Sequence, residues 1–218
     1  MIKLDHYLKQ AKSILCLNGT IPQKVFFQNF AHLPLIATDG AADKLCDIGV
    51  IPDLIAGDLD STQPHQYPET IETICTPDQN LTDFEKALDL LKKRGQLPAI
   101  ICGTQGGELD HTLYNLYILE RLSRTSPTLF FNTEEDGSQK IGIFITQNLE
   151  LSLAKNSLIS LLPFPKTTVT TRGLQWDLTN EQLNHKRKSS VRNRTRNSLV
   201  TIEITHGTLL LICADGLF

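Results

Sequence analysis

Two rhythms divide this chain, and the first sets most of what its front half can fold into. Short apolar runs recur at residues 14–17, 33–37, 54–56, 71–75, 99–102 and 129–131. Helical periods lie between several of them. The clearest runs from Asp83 to about Lys93, with Phe84, Ala87, Leu88 and Leu91 on one face. Thr82 and Glu85 make a T-x-x-E capping box at its start, and Gly95 follows its end. A second helix is expected from residue 111 to about 122, with Leu113, Leu116, Ile118 and Leu119 available to pack. Strands alternating with helices imply a mostly parallel sheet covered on both faces, an α/β architecture.

The rhythm changes after the polar, turn-rich stretch Asn132-Thr133-Glu134-Glu135-Asp136-Gly137-Ser138-Gln139. Runs at 141–146, 149–153, 158–162, 167–171, 199–204 and 208–213 are short and rich in β-branched residues, with no long helical period between them. A second, all-β domain is expected there, built as a sandwich. The predicted division is residues 1–131 and 132–218.

Charge and cysteine usage narrow the setting. Lys plus Arg is 21 against 24 Asp plus Glu, a formal net charge of −3, so no global basic field exists to hold nucleic acid by its phosphates. The apolar runs fall well short of the ~20 residues that cross a bilayer, and the opening Met1-Ile2-Lys3-Leu4-Asp5-His6 does not read as a secretory signal. Neither a nucleic-acid nor a membrane partner is expected. The five cysteines are scattered, odd in number and free of C-x-x-C spacing, which fits small hydrophobes in a reducing cytoplasm. The run His185-Lys186-Arg187-Lys188, continued by Arg192, Arg194 and Arg196, reads as a solvated loop.

Three apolar runs end alike. The first leads into Asp39-Gly40, the second into Gly57-Asp58-Leu59-Asp60-Ser61, and the third into Gly103-Thr104-Gln105-Gly106-Gly107-Glu108-Leu109-Asp110-His111. Ligands of open α/β sheets bind just beyond the carboxyl ends of the strands. Glycines there let backbone N–H groups approach phosphate oxygens. Clustered aspartates would repel phosphate unless a hard cation such as Mg²⁺ lay between them. Asp58 and Asp60, two apart in extended chain, point to one face and can reach one cation. Each residue also has a bland reading. Asp58 and Asp60 could form a solvated turn, Asp83 could serve the dipole of its helix, Asp78 could belong to a turn, and Asp110 could cap the next helix.

Taken in order, the segments Asp39-Gly40-Ala41-Ala42, Gly57-Asp58-Leu59-Asp60-Ser61, Thr76-Pro77-Asp78-Gln79 through Thr82-Asp83-Phe84, Gly103 through Asp110-His111, and Gly173-Leu174-Gln175-Trp176-Asp177-Leu178 resemble the motifs of the thiamine pyrophosphokinase family. The resemblance implies transfer of the diphosphoryl group of ATP to the hydroxyl of thiamine, with AMP released. It also implies a homodimer with active sites at the subunit interface. Asp58, Asp60 and Asp83 would organise Mg²⁺ and the triphosphate. Asp39, Asp78, Gln79, Thr82 and Asp110 would bind or support the nucleotide. Trp176 and Asn193 would contact thiamine from the partner subunit. The chain departs from the family pattern at Ala41 and Asp43, at Glu108, where the family carries arginine, and at Arg192, where it carries serine.

Two rival readings remain at this level. Asp58-Leu59-Asp60-Ser61-Thr62 also satisfies the D-x-D-x-T pattern of haloacid-dehalogenase-type phosphatases, in which Asp58 would be the nucleophile. The third reading is a non-catalytic nucleotide-binding regulator. For Trp176, the only tryptophan, a core or interface position competes with stacking on thiamine.

Overall fold

The computed structural model describes residues 1–57, 68, 71–75, 78 and 80–214. The chain opens with the two-residue strand β1 (Ile2–Lys3) and helix α1 (Leu4–Gln10). It divides into two compact units, Ala11–Ser138 and a discontinuous one of Met1–Gln10 with Gln139–Phe218. The predicted division, 1–131 and 132–218, differs in that the first ten residues group here with the second unit, and the boundary falls at 138/139.

In the unit of residues 11–138, β2 (Ser13–Cys16), α2 (Lys24–Asn29), β3 (Leu35–Thr38), α3 (Ala41–Asp47), β4 (Leu54–Gly57), β5 (Glu72–Cys75), α4 (Asp83–Lys93), β6 (Ala99–Cys102), α5 (Leu109–Ser123) and β7 (Phe130–Thr133) follow in order. The strands pair in parallel in the spatial order β7-β6-β2-β3-β4-β5. β2, β3, β4 and β6 are buried at every position, so their sequences are continuous apolar runs rather than alternations. Phe26 of α2 packs edge-on against Phe27, Phe30 and Phe131, with ring centroids 5.2, 5.2 and 5.0 Å away.

The capping box forms as the sequence requires. The Thr82 hydroxyl accepts the Glu85 N–H at 3.3 Å, and the Glu85 carboxylate accepts the Thr82 N–H at 3.1 Å. Helix α5 differs from the expectation. It starts two residues earlier, with Glu108 at the N-cap and Asp110 in its first turn, so Asp110 is not the cap. Ile118 and Leu119 are buried, whereas Leu113 faces outward with Leu109 and Tyr117 on the same stripe.

The other unit holds β8 (Gln139–Ile145), β9 (Leu149–Ser152), β10 (Leu158–Arg172), β11 (Glu181–Asn184), β12 (Ser190–Arg194) and β13 (Leu199–Ala214). β1 joins it by pairing in parallel with β9, Ile2 opposite Leu149. β10 and β13 pair antiparallel from Ile159↔Cys213 to Arg172↔Thr201. Each also pairs with two further strands. The front of β13 pairs with β9 and its end with β8; the front of β10 pairs with β12 and its end with β11. The register shifts between Phe164 and Thr167 and again between Thr168 and Val169. Such bulges bend a strand and let it serve two sheets. Each of these long strands spans two of the expected short runs, 158–162 with 167–171 and 199–204 with 208–213.

No helix among the described residues is long and apolar enough to cross a membrane.

Candidate active site

The strand order places a topological switch between β2 and β6. The chain leaves β2 toward β3 on one side, and leaves β6 toward β7 on the other. Loops that part in this way open a crevice beyond the strand ends. A cleft of about 800 Å³ lies there. Its floor is Leu17, Asn18 and Gly19 after β2 and Gly103, Thr104 and Gln105 after β6. One wall is the start of α4, with Thr82, Asp83 and Lys86; the other is α5, with Asp110, Leu113, Tyr114 and Tyr117.

The two floor loops are laced together. The Gly19 N–H donates to the Gly103 carbonyl at 3.0 Å, and the Thr20 N–H to that of Gln105 at 2.6 Å. The approach is so close that a Cβ on Gly19 would run into the Gln105 carbonyl. One on Gly103, whose φ is +72°, would run into that of Leu17. Side chains fix the loops from outside. The Lys44 ammonium donates to the Asn18 and Gly19 carbonyls at 2.6 and 2.9 Å. Asn115 of α5 donates to the Thr104 carbonyl at 3.0 Å, and Gln105 to that of Thr133 at 3.1 Å.

Several of the sequence-selected residues meet in or beside this cleft. Thr82, Asp83 and Asp110 line it. Asp83 pairs with Lys86 at 3.1 Å. Lys86 is a buried cation that the sequence reading did not single out, because two positions on from Phe84 it falls off the apolar face of α4 and reads as a solvated charge. Its i+3 spacing from Asp83 was the available signal. Asp78 accepts the Asn80 N–H and side-chain amide at 2.8 and 2.9 Å, closing a turn ahead of α4. Those two bonds, with a smaller contribution from the Lys86 charge, hold its carboxyl below the ordinary range. Asp39 is buried just past β3, where it accepts the Gly40 N–H at 3.0 Å and lies flush against Gly57 at the end of β4. Asp58, Asp60 and Gln79 lie outside the described residues.

Trp176 and Asn193 belong to the β unit. Trp176 is 59% exposed, so it is not a core residue of that unit. Asn193 is buried, and its amide clamps the tryptophan segment. It accepts the Trp176 N–H at 3.3 Å and donates to the Trp176 carbonyl at 2.9 Å and the Ser190 hydroxyl at 3.0 Å. The basic run lies on exposed chain, with Lys188 paired to Glu181 and Arg196 to Asp177.

Asp83 offers a hard oxygen donor on the cleft wall, the chemistry that Mg²⁺ prefers. Among the described residues there is no cluster of three potential metal ligands. Mg²⁺ is commonly held by one or two carboxylates together with substrate phosphates, so a site that includes Asp83 fits it.

Fold and cleft together define an α/β unit with a ligand crevice at a strand-order switch, accompanied by an antiparallel β unit. Residues 30–131 match the family model described as "Thiamin pyrophosphokinase, catalytic domain", and residues 144–209 match "Thiamin pyrophosphokinase, vitamin B1 binding domain". The chain belongs to the thiamin pyrophosphokinase family. It is 27% identical over 179 residues to thiamine pyrophosphokinase 3 of Oryza sativa subsp. japonica, covering 73% of this chain and 64% of that protein. It is 26% identical over 166 residues to thiamine pyrophosphokinase 2 of Arabidopsis thaliana, covering 70% and 61%. The chain thus spans less than two thirds of the length of these curated relatives. Among solved structures, the thiamine pyrophosphokinase from Bacillus subtilis superposes with a TM-score of 0.78 at 22% identity, covering 94% of this chain and all of that one. Yeast thiamin pyrophosphokinase superposes at 0.83 and 19% identity, covering 98% and 90%. These two likenesses speak to the fold.

Proposed function

We propose that this chain is a thiamine diphosphokinase that moves the diphosphoryl group of ATP to the hydroxyl of thiamine, giving thiamine diphosphate and AMP. The observation that carries the reading is the match to both family domains in order, with the cleft of the first lying at the strand-order switch. The thiamine oxygen forms a bond to the β-phosphorus as the bond from that phosphorus to the α-phosphate oxygen breaks. AMP leaves, and the hydroxyl proton passes to a carboxylate among Asp58, Asp60 and Asp83.

This chain's own residues work by placement and charge, as in other phosphoryl transfers. The laced glycine loops after β2 and β6 give the phosphates a floor without side chains in the way. Lys86 supplies a fixed positive charge beside Asp83. Asp58, Asp60 and Asp83 would hold Mg²⁺, which when bound neutralises the charge developing on the phosphates. Asp39, Asp78, Gln79, Thr82 and Asp110 bind or support the nucleotide. Trp176, with Asn193 behind it, offers an exposed aromatic face to the thiazolium and pyrimidine rings.

The protein works as a cytoplasmic homodimer in this reading, with thiamine contacts supplied by the second copy. The exposed Leu109, Leu113 and Tyr117 of α5 support a covered interface, and five free cysteines suit a reducing compartment. The test is incubation with ATP, Mg²⁺ and thiamine while AMP is followed. Thiamine-dependent AMP is the expected result; inorganic phosphate release, or binding without turnover, would overturn the proposal.

A further inference from the structure

The capping box of α4 needs only one carboxylate oxygen of Glu85, yet both are engaged. Oε2 accepts the Thr82 N–H and the Thr82 hydroxyl, each at 3.1 Å. Oε1 reaches the other wall of the cleft. It accepts from Arg121 Nη2 at 2.6 Å and from the Tyr114 hydroxyl at 3.2 Å, both on α5. The glutamate side chain is 13% exposed, while Arg121 stands largely in solvent. Neither Glu85 nor Arg121 lines the cleft, but Thr82, Asp83, Lys86 and Tyr114, which surround them, do. A residue that served only as a helix cap would have no reason to carry two donors from a helix 29 and 36 positions further along the chain.

We propose that Glu85 is a positioning residue, a strut that fixes the start of α4 against α5 and so sets where Asp83 and Lys86 stand relative to the opposite wall. The inference rests on reading the cleft as the nucleotide site. The division of labour between the two oxygens makes it separable from capping. Oε2 secures the first turn of α4, and Oε1 secures the distance between the walls. Arg121 acts in this scheme chiefly through Glu85; its other contact bordering the cleft is with Tyr114, a residue of its own helix that shares the same Glu85 oxygen.

Three variants separate the roles. Glu85→Ala removes cap and strut, Glu85→Gln keeps an oxygen acceptor for the cap but loses the charge pair, and Arg121→Met removes the far end alone. Hydrogen exchange is followed at residues 82–86 and 109–121, alongside kcat and KM for ATP and for thiamine. Glu85→Ala is expected to speed exchange in both segments and Arg121→Met in the α5 segment. Arg121→Met is expected to raise the ATP KM or lower kcat about 2- to 5-fold, the span set by ~0.5–1 kcal/mol for a partly exposed pair, with thiamine KM unchanged. It should add nothing further in the Glu85→Ala background. Faster exchange confined to residues 82–86, or losses that multiply as if independent, would reduce Glu85 to a cap. If Glu85→Ala does not fold, Glu85→Gln and Arg121→Met with their double variant decide the matter. If the wild-type protein releases no thiamine-dependent AMP, the catalytic reading falls, and the exchange pattern alone decides the strut.

Discussion

The Lys86 ammonium stands 3.1 Å from the Asp83 carboxylate, and it is the lysine that is sealed from solvent: its side chain is 4% exposed against 40% for the aspartate. A buried cation requires a partner, and the aspartate supplies it while still facing the cleft. The pair therefore presents the site with one carboxylate whose charge is already balanced from behind.

Lys86→Met is expected to raise the KM for ATP on the order of 10-fold, because a charge-assisted contact worth ~1.5 kcal/mol or more is lost. Lys86→Arg should recover part of that loss. Steady-state AMP release with ATP varied gives the answer. A lower melting temperature with unchanged ATP KM would assign the lysine to supporting Asp83 alone.

Asp58→Asn and Asp60→Asn are each expected to lower turnover ~10²-fold or more, since several kcal/mol of transition-state stabilisation go with a metal-holding charge. Folding, read by thermal melts, should change little. Near-normal AMP release at saturating Mg²⁺ in both folded variants would remove them from the metal site.

For Trp176→Ala, exposure of the indole means that the ~3–5 kcal/mol cost of emptying a core does not apply. The melt should hold while the thiamine KM rises about 5- to 30-fold, from loss of roughly 1–2 kcal/mol of cation–π contact, with ATP KM unchanged. Asn193→Ala is its structural counterpart. It should lower stability by ~1 kcal/mol, by removing the hydrogen bonds that hold the part-buried backbone of the tryptophan segment, and should weaken thiamine binding indirectly. A stable Asn193→Ala protein with normal thiamine KM would disprove the clamp.

Glu72 at the start of β5 accepts both guanidinium nitrogens of Arg94, the residue that ends α4, at 2.8 and 2.6 Å. Those bonds hold its carboxyl below the ordinary range. A depressed folded pKa gives stability that is present above the unfolded value, about 4.3, and is lost as pH falls through the folded value. Glu72→Gln should therefore melt slightly lower at neutral pH, with the gap closing in acid. A gap of the same size across pH 2–7 would show that the ion pair is not its source.

Much of the architecture was legible in the residues because β2, β3, β4 and β6 are buried throughout and read as unbroken apolar runs. The T-x-x-E signature marked the start of α4 to the residue. Other elements left weaker traces. β11 and β12 are polar, with Leu183 and Asn193 as their buried anchors, and the prolines within β10 interrupted its pattern where the ladder changes register. Lys86 was hidden for a different reason: a lysine off the apolar face reads as a solvated charge until its burial and its partner are seen. Asn193 was read from the resemblance as a ligand contact, and only the fold shows its amide engaged with the tryptophan segment. Hydrogen bonds across distant sequence, such as Glu85 to Arg121, carry no periodic signal at all.

The pairing of Ile2 and Lys3 with Leu149 and Glu150 has a consequence for biosynthesis. As the chain leaves the ribosome, residues 1–10 emerge ahead of 11–138 but have no strand to pair with until β9 has followed. The α/β unit of residues 11–138 is contiguous and can close in the meantime. β1 is thus made before every strand of the α/β unit yet pairs only after all of them have been made, so the β unit is completed by chain from both sides of the contiguous one.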